Sequence, residues 1–284
     1  VKLLAQLKRL ARRANLRHGL QSPADTMQGL QGWEKTPLAQ ALFSQQQDQL
    51  GEHLGQLFGY HLLELSNFRV TGLSKESLIN HRFRLAPIDG FEAGALAQWE
   101  ALPLESESID VVILHHVLEF SGNPHQVLRE ANRVLIPHGH LLILGFNPWS
   151  LQGLYKVFAQ WLGAGDLWRR RSLRAGRVID WLQLLDCEPV EVNYGFYRLP
   201  INHEGTLRRT GFLESLGQKC RLPFGGYYLL VARKEVGAAI LAKPSWKGIN
   251  PMELVIGKPA GRVSGRQTPG KGGKVVPLVR KDEV

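Results

Sequence analysis

Asp110-Val-Val-Ile-Leu-His115, then Asn123-Pro-His-Gln-Val-Leu-Arg-Glu130, then His140-Leu-Leu-Ile-Leu-Gly-Phe146 is the stretch whose reading decides the fold. The first segment is apolar throughout its middle, as a strand covered on both faces of a parallel sheet must be. The second opens with Asn123 as N-cap, Pro124 at the first helical position and Gln126 completing a capping box. Val127, Leu128, Ala131, Val134 and Leu135 then recur at helical spacing until Pro137-His-Gly139 ends the run. The third segment is another buried strand, so the three together make a parallel crossover unit. Downstream, Val178, Ile179, Trp181, Leu182 and Leu185 predict a helix over 174–185, and 189–194 with 226–232 read as a closing strand pair. Upstream, 60–65 is a short buried strand, 82–85 a second and 96–99 a third. The expected fold is α/β, a mostly parallel sheet with an antiparallel edge hairpin.

The remainder of the chain bounds this reading. It has 284 residues, 44% hydrophobic and 21% charged, an ordinary globular composition. No apolar run approaches the ~20 residues of a membrane helix, so no transmembrane segment is expected. Two cysteines, Cys187 and Cys220, make neither a disulfide framework nor a zinc site. With a basic amino terminus that lacks an apolar block, they point to a cytoplasmic protein. The net charge of +10 sits at the ends: residues 1–18 carry +6 and 237–284 carry +6, leaving −2 for 19–236. The expected organisation is a basic amphipathic segment over 1–26, a domain over 27–236, and a disordered basic Pro/Gly-rich tail over 237–284. The basic ends suit a weak contact with a polyanion and no more.

The block 102–120, with Asn123-Pro-His-Gln-Val-Leu-Arg-Glu130 and Arg133-Val-Leu-Ile-Pro137, resembles the type 11 class I methyltransferases. Gly145-Phe-Asn-Pro-Trp-Ser-Leu-Gln-Gly153, Phe58-Gly-Tyr-His-Leu-Leu-Glu-Leu65 and Ala232-Arg-Lys234 resemble its YafS-like bacterial branch. The resemblance spans about residues 30–235. It implies a Rossmann-like sheet of seven strands and S-adenosylmethionine as cofactor, and it names no substrate; a small-molecule acceptor is expected. It places Glu64 near the methionine part of the cofactor, Glu100 and Leu102 beside the adenine, and His116 near the reacting sulfonium. Ser66 and Phe68 stand where the family has glycines. Asp89 is the acid nearest the end of the second strand, and Gln98 replaces the acid of the adenine loop.

Each of these residues has a plainer role open to it. Glu64 can pair within the sheet, Glu100 can be a solvated loop acid, and Asp110 can anchor the turn into its strand. His115 and His116 alternate faces along a strand, so one faces the cleft; His116 is the choice, as a general base of ordinary pKa near ~6.5. His138 and His140 begin the neighbouring parallel strand, at the opposite edge of the sheet, so no metal joins them to His115 and His116. Trp149, Arg170 and Arg171, in a stretch of aromatic residues and arginines after the strand 140–146, are the expected contacts for an acceptor with an apolar body and an anionic group. Those arginines can equally be a solvated face. The sequence therefore predicts an S-adenosylmethionine-dependent methyltransferase; the alternative is a catalytically inactive methyltransferase-like binding or regulatory protein, for which Ser66 and Phe68 speak. An RNA-associated protein using the basic ends is a third, weaker reading.

Overall fold

The structure, a computed structural model, describes residues 23–89, 93–153, 171–198 and 222–235, with 202, 203, 205, 209–211, 214 and 217 between the last two stretches. The basic segment 1–18, the tail from 237, Arg170 and the aromatic residues Tyr155, Phe158, Trp161 and Trp168 lie outside the described residues.

In chain order the elements are α1 (Pro23–Glu34), α2 (Pro37–Leu54), β1 (His61–Ser66), β2 (His81–Ala86), β3 (Ala95–Leu96), β4 (Ile109–His115), α3 (Pro124–Val134), β5 (Leu135–Phe146), α4 (Ala175–Gln183), β6 (Cys187–Gly195) and β7 (Tyr227–Lys234). The strands form one seven-stranded sheet in the order β3-β2-β1-β4-β5-β7-β6. β3, β2, β1, β4 and β5 pair in parallel, and β7 runs antiparallel to both of its neighbours. The predicted closing pair is thus present, but its second strand is inserted one place in from the edge. Burial explains the placement. Tyr227-Tyr-Leu-Leu-Val-Ala232 is buried throughout, whereas β6 carries Glu188, Pro189 and Glu191, a register shift between Pro189 and Glu191, and an exposed Val190. Charge, proline and a bulge belong on an edge strand.

Alternating residues divide the core between the faces of the sheet. Leu63, Leu65, Val112, Leu114, Leu141 and Ile143 pack with α3 and α4 through Val127, Leu128, Ala131, Val178 and Leu182. Leu62, Val111, Ile113, Leu142 and Leu144 pack with α2 through Leu38, Leu42, Phe43, Leu50 and Leu54. The sequence reading places no element over residues 27–59. The run Ser44-Gln-Gln-Gln-Asp-Gln49 hides the helical stripe of α2, although Thr36 followed by Pro37 is a start signal, and the Thr36 hydroxyl does accept the Ala39 N–H at 3.3 Å.

One predicted cap and two predicted boundaries change in detail. The Asn123 carboxamide accepts the Gln126 N–H at 3.3 Å, as a cap should, but Gln126 does not reach back to Asn123. Its side-chain amide donates to the Glu100 carbonyl at 3.4 Å, and the Ser121 hydroxyl takes the Asn123 N–H instead at 3.0 Å. β5 begins at Leu135, not 140, because Pro137, His138 and Gly139 form an irregularity within the strand. His138 has φ 63, and a Cβ on Gly139 would stand 2.9 Å from the Asp110 carbonyl. The third strand is only Ala95–Leu96, and Trp99 leaves the sheet to become a fully buried core residue. Among the described residues no helix is long and apolar enough to cross a membrane.

Candidate active site

The strand order reverses between β1 and β4, so the chain leaves their carboxyl ends in opposite directions and opens a crevice there. Ser66, Asn67 and Phe68 come from the β1 side, and His115 and His116 from the β4 side; all five are fully buried. The Asn67 N–H donates to the His115 carbonyl at 3.1 Å, which joins the two sides.

Strand alternation predicts that the two histidines diverge. They converge, because His116 has φ 54 and so departs from the strand path. Their ring centroids are 4.7 Å apart, and both rings meet Gln46 of α2. Taking Glu119 as a carboxylate, one proton assignment joins these groups, with the buried Glu119 Oε2 left without a hydrogen-bond partner among the described residues. Ser66 Oγ has two acceptors within reach, His115 Nδ1 at 2.7 Å and the Phe68 carbonyl at 2.9 Å, and its one proton goes to His115 Nδ1 when His115 Nε2–H donates to Gln46 Oε1 at 3.0 Å. Gln46 Nε2–H donates to His116 Nε2 at 2.9 Å, and His116 Nδ1–H donates to Glu119 Oε1 at 3.2 Å. The Phe146 N–H donates to the same oxygen at 2.6 Å. Burial, with the Arg84 charge nearby, holds the His115 pKa well below the ordinary histidine range, so its ring is neutral. Both His116 nitrogens are engaged, so His116 offers no lone pair as a base while Gln46 is in place. Gln46 and Glu119 were not singled out in the sequence; Glu119 stands three residues after His116, but nothing local marks Gln46.

Phe68 fills much of the crevice. Its ring lies 5.1 Å from Phe43, 5.4 Å from His116, 5.5 Å from Trp33, 5.8 Å from His115, 6.0 Å from Phe120 and 6.4 Å from Phe146, centroid to centroid. Phe146 also stacks on His116 at 4.0 Å. Glu64 is tied into the sheet: its Oε2 accepts from Arg84 Nη2 at 2.8 Å and Nε at 3.2 Å, across the paired strands β1 and β2. The Asp110 carboxylate accepts the Tyr60 and His61 N–H groups at 3.0 and 2.9 Å and so anchors the entry to β1.

The other predicted residues surround the crevice at varying distance. Glu100 accepts the Ser121 hydroxyl at 2.6 Å, which binds the loop after β3 to the turn after β4. The Leu102 N–H donates to Glu130 at 3.0 Å and its carbonyl accepts from Arg133, whose guanidinium holds the Glu130 carboxyl below its ordinary pKa. Gln98 and Asp89 are exposed on loops. Arg171 is turned to the chain after β4: its N–H donates to the Glu119 carbonyl at 2.8 Å and its Nη2 to the Gly122 carbonyl at 3.0 Å.

Trp149 belongs to a different feature. Beyond the carboxyl end of β5, Asn147 Oδ1 accepts the Trp149 N–H at 3.1 Å and closes a turn. A cleft of about 580 Å³ lies between that turn and the start of α4, with Trp149, Arg174, Arg177, Asp180, Tyr194 and Phe224 in its wall. A second cleft, about 610 Å³, runs between α2 and β6 and is lined by Asp48, Glu52 and Glu191.

A sheet in this order, with its crevice between the first and fourth strands, defines a Rossmann-like class I methyltransferase fold, and the chain belongs to the type 11 methyltransferase-domain family. The model of that domain matches residues 59–143. Within it the chain is similar to the uncharacterised protein YafS of Escherichia coli K12, at 31% identity over 202 residues, 71% of this chain and 80% of YafS. Among solved structures, it is similar to an S-adenosylmethionine-dependent methyltransferase of Thermotoga maritima, described as a possible histamine N-methyltransferase. That match has a TM-score of 0.50 at 16% identity and covers 68% of this chain and 89% of the other. A methyltransferase of Archaeoglobus fulgidus gives 0.48 at 15% identity, over 68% and 94%.

The crevice has polar groups that fit such a cofactor. Asn67 is fully buried, yet neither Oδ1 nor Nδ2 has a partner among the described residues, and the indole N–H of Trp99 is likewise orphaned. Buried polar atoms without partners are costly and uncommon.

Proposed function

We propose that this chain is an S-adenosylmethionine-dependent methyltransferase acting on a small-molecule acceptor. The observation that carries the reading is Asn67, buried at the switch point with both polar atoms unpaired. In this reading Asn67 and Ser66 meet the amino-acid end of the cofactor, whose space the Phe68 ring narrows, and Gln98, Trp99, Glu100 and Leu102 the adenine, with Asp89 near the ribose. The cofactor supplies an electrophilic methyl group on a sulfonium. The protein's part is to desolvate and align two bound reactants, an effect worth roughly 7–11 kcal/mol in well-oriented systems. The aromatic group around Phe68 excludes water, and the cleft beside Trp149 holds the acceptor beyond the end of β5. His116 stays stacked on Phe146 and orients Glu119.

Calorimetry with S-adenosylhomocysteine tests the reading. Binding below millimolar Kd is expected, and Asn67→Ala should weaken it at least tenfold, about 1.4 kcal/mol. The same substitution should leave the ligand-free protein as stable as before or more so, since it removes an unpaired buried amide. A drop in stability with unchanged affinity would make Asn67 a structural residue.

Phe68 favours a second reading, a methyltransferase-like protein that no longer takes the cofactor, because its ring occupies the space between the two histidines and α2. No binding by the parent at millimolar S-adenosylhomocysteine, with binding gained in Phe68→Ala, would establish that second reading.

A further inference from the structure

The cleft between Asn147 and the start of α4 has an electrostatic arrangement that works against helix stability. Arg174 is the N-cap of α4 and makes no side-chain capping hydrogen bond; Arg177 follows in the first turn, and that turn has no acidic residue. Two cations therefore sit at the positive end of the helix dipole, where carboxylates or capping hydroxyls are the stabilising choice. Arg174 is held there by Trp149: its guanidinium carbon is 4.4 Å from the ring centroid. Stacking leaves the edge of the guanidinium, which carries its N–H groups, directed outward for in-plane hydrogen bonds. Apart from its chain neighbours and the helix's own backbone, no atom lies within 4 Å of the place a Cβ would take on Gly176, which lines the cleft in the first turn of α4. Trp149 is 48% exposed and Phe224 56%, an apolar wall left uncovered beside the arginines.

We propose that this cleft binds a small molecule with a phosphate group and an apolar, planar body. Arg174 and Arg177 pair with the phosphate oxygens, the first-turn amides of α4 lie beside it, and the body lies against Trp149, Phe224 and Tyr194. Asp180, one turn further along α4 in the same wall, accepts from a hydroxyl or amine on the ligand. That this ligand is the methyl acceptor rests on the proposed function; that the cleft binds it does not.

Titration of the full chain with phenyl phosphate, inorganic phosphate and phenylacetate tests the site. Phenyl phosphate should bind at least tenfold more tightly than either of the others, the first comparison reading the aromatic wall and the second the phosphate. Arg174→Ser and Arg177→Gln should each weaken it tenfold or more while S-adenosylhomocysteine affinity stays within twofold. In phosphate-free buffer Arg174→Ser should raise Tm, because a capping hydroxyl replaces a cation; an ordinary surface arginine would not combine that gain with lost binding. Binding of phenyl phosphate unchanged in both variants, or absent in the parent, overturns the proposal. Equal affinity for phenylacetate overturns the choice of phosphate. Failure here with intact S-adenosylhomocysteine binding leaves the methyltransferase reading standing, and the reverse result removes that reading alone.

Discussion

Asn67 and Phe68 are neighbours in the chain and act in opposite ways on the same crevice, one short of partners and the other surrounded by them. Removing the Phe68 ring should therefore have two effects of opposite sign. Phe68→Ala leaves a cavity among Trp33, Phe43 and Phe120 and should destabilise the protein by about 3–5 kcal/mol in denaturant unfolding. The space released lies against His116, so S-adenosylhomocysteine should bind at least tenfold more tightly. Weaker binding in the variant would mean that the ring supports the cofactor instead of excluding it. Glu64 is a residue whose plainer role is the one observed, since its carboxylate is committed to Arg84 with both side chains nearly buried. The histidine pair was legible as a feature, but its arrangement was not. A single positive φ at His116 reverses the direction of one ring, and no sequence pattern announces it for a histidine.

Among the elements, α3 was the most legible, because its start and its stripe are written in local chemistry. Its cap gives a direct test: Asn123→Ala should cost about 1 kcal/mol, read as a Tm lower by several degrees. An unchanged Tm would mean that Ser121 and Gln126 hold the turn without it. α2 was not legible, although it walls the crevice. Gln46 occupies a core position on its apolar face and is fully buried, which is affordable only because His115 and His116 satisfy its amide. A polar residue at such a position breaks the periodicity by which a helix is recognised. β7 shows a related dependence between strands. Tyr228 lies over Gly145 of β5, and Tyr227 over Gly195 of β6, where a Cβ would stand 2.6 Å from the Tyr227 hydroxyl oxygen. Each glycine is explained by a tyrosine more than thirty residues away in the chain.

For the molecule as a whole, burial of neutral histidine links stability to pH. The His115 pKa is lowered by burial, and that of His140 by burial with Arg233 beside it. Below pH ~6.5 the unfolded chain takes up protons that these folded rings still refuse. The stability present above that value is therefore lost as pH falls from it through their folded values, by at most about 1.4 kcal/mol per pH unit for each ring. Unfolding free energies of the parent and of His115→Asn between pH 7 and 5 check this: the parent should fall more steeply. Parallel slopes would mean that the His115 ring protonates normally within the folded protein.

The sequence by itself determined the class of fold, because strand burial and helix capping are local regularities that leave a trace in consecutive residues. From 110–115, 123–135 and 140–146 the parallel core followed, and the resemblance of residues 102–137 to the methyltransferases pointed to the family. Only the tertiary structure decided what stands in the crevice. The hydrogen-bond path through Ser66, His115, Gln46, His116 and Glu119 joins β1, β4, α2 and the turn after β4, and the cleft at Trp149 joins the end of β5 to the start of α4 and the chain before β7. These groups meet because strand order reverses between β1 and β4 and because β7 is inserted beside β5. Both are choices among packings of already formed elements, made by burial on two faces of a sheet, and a local pattern carries no record of them.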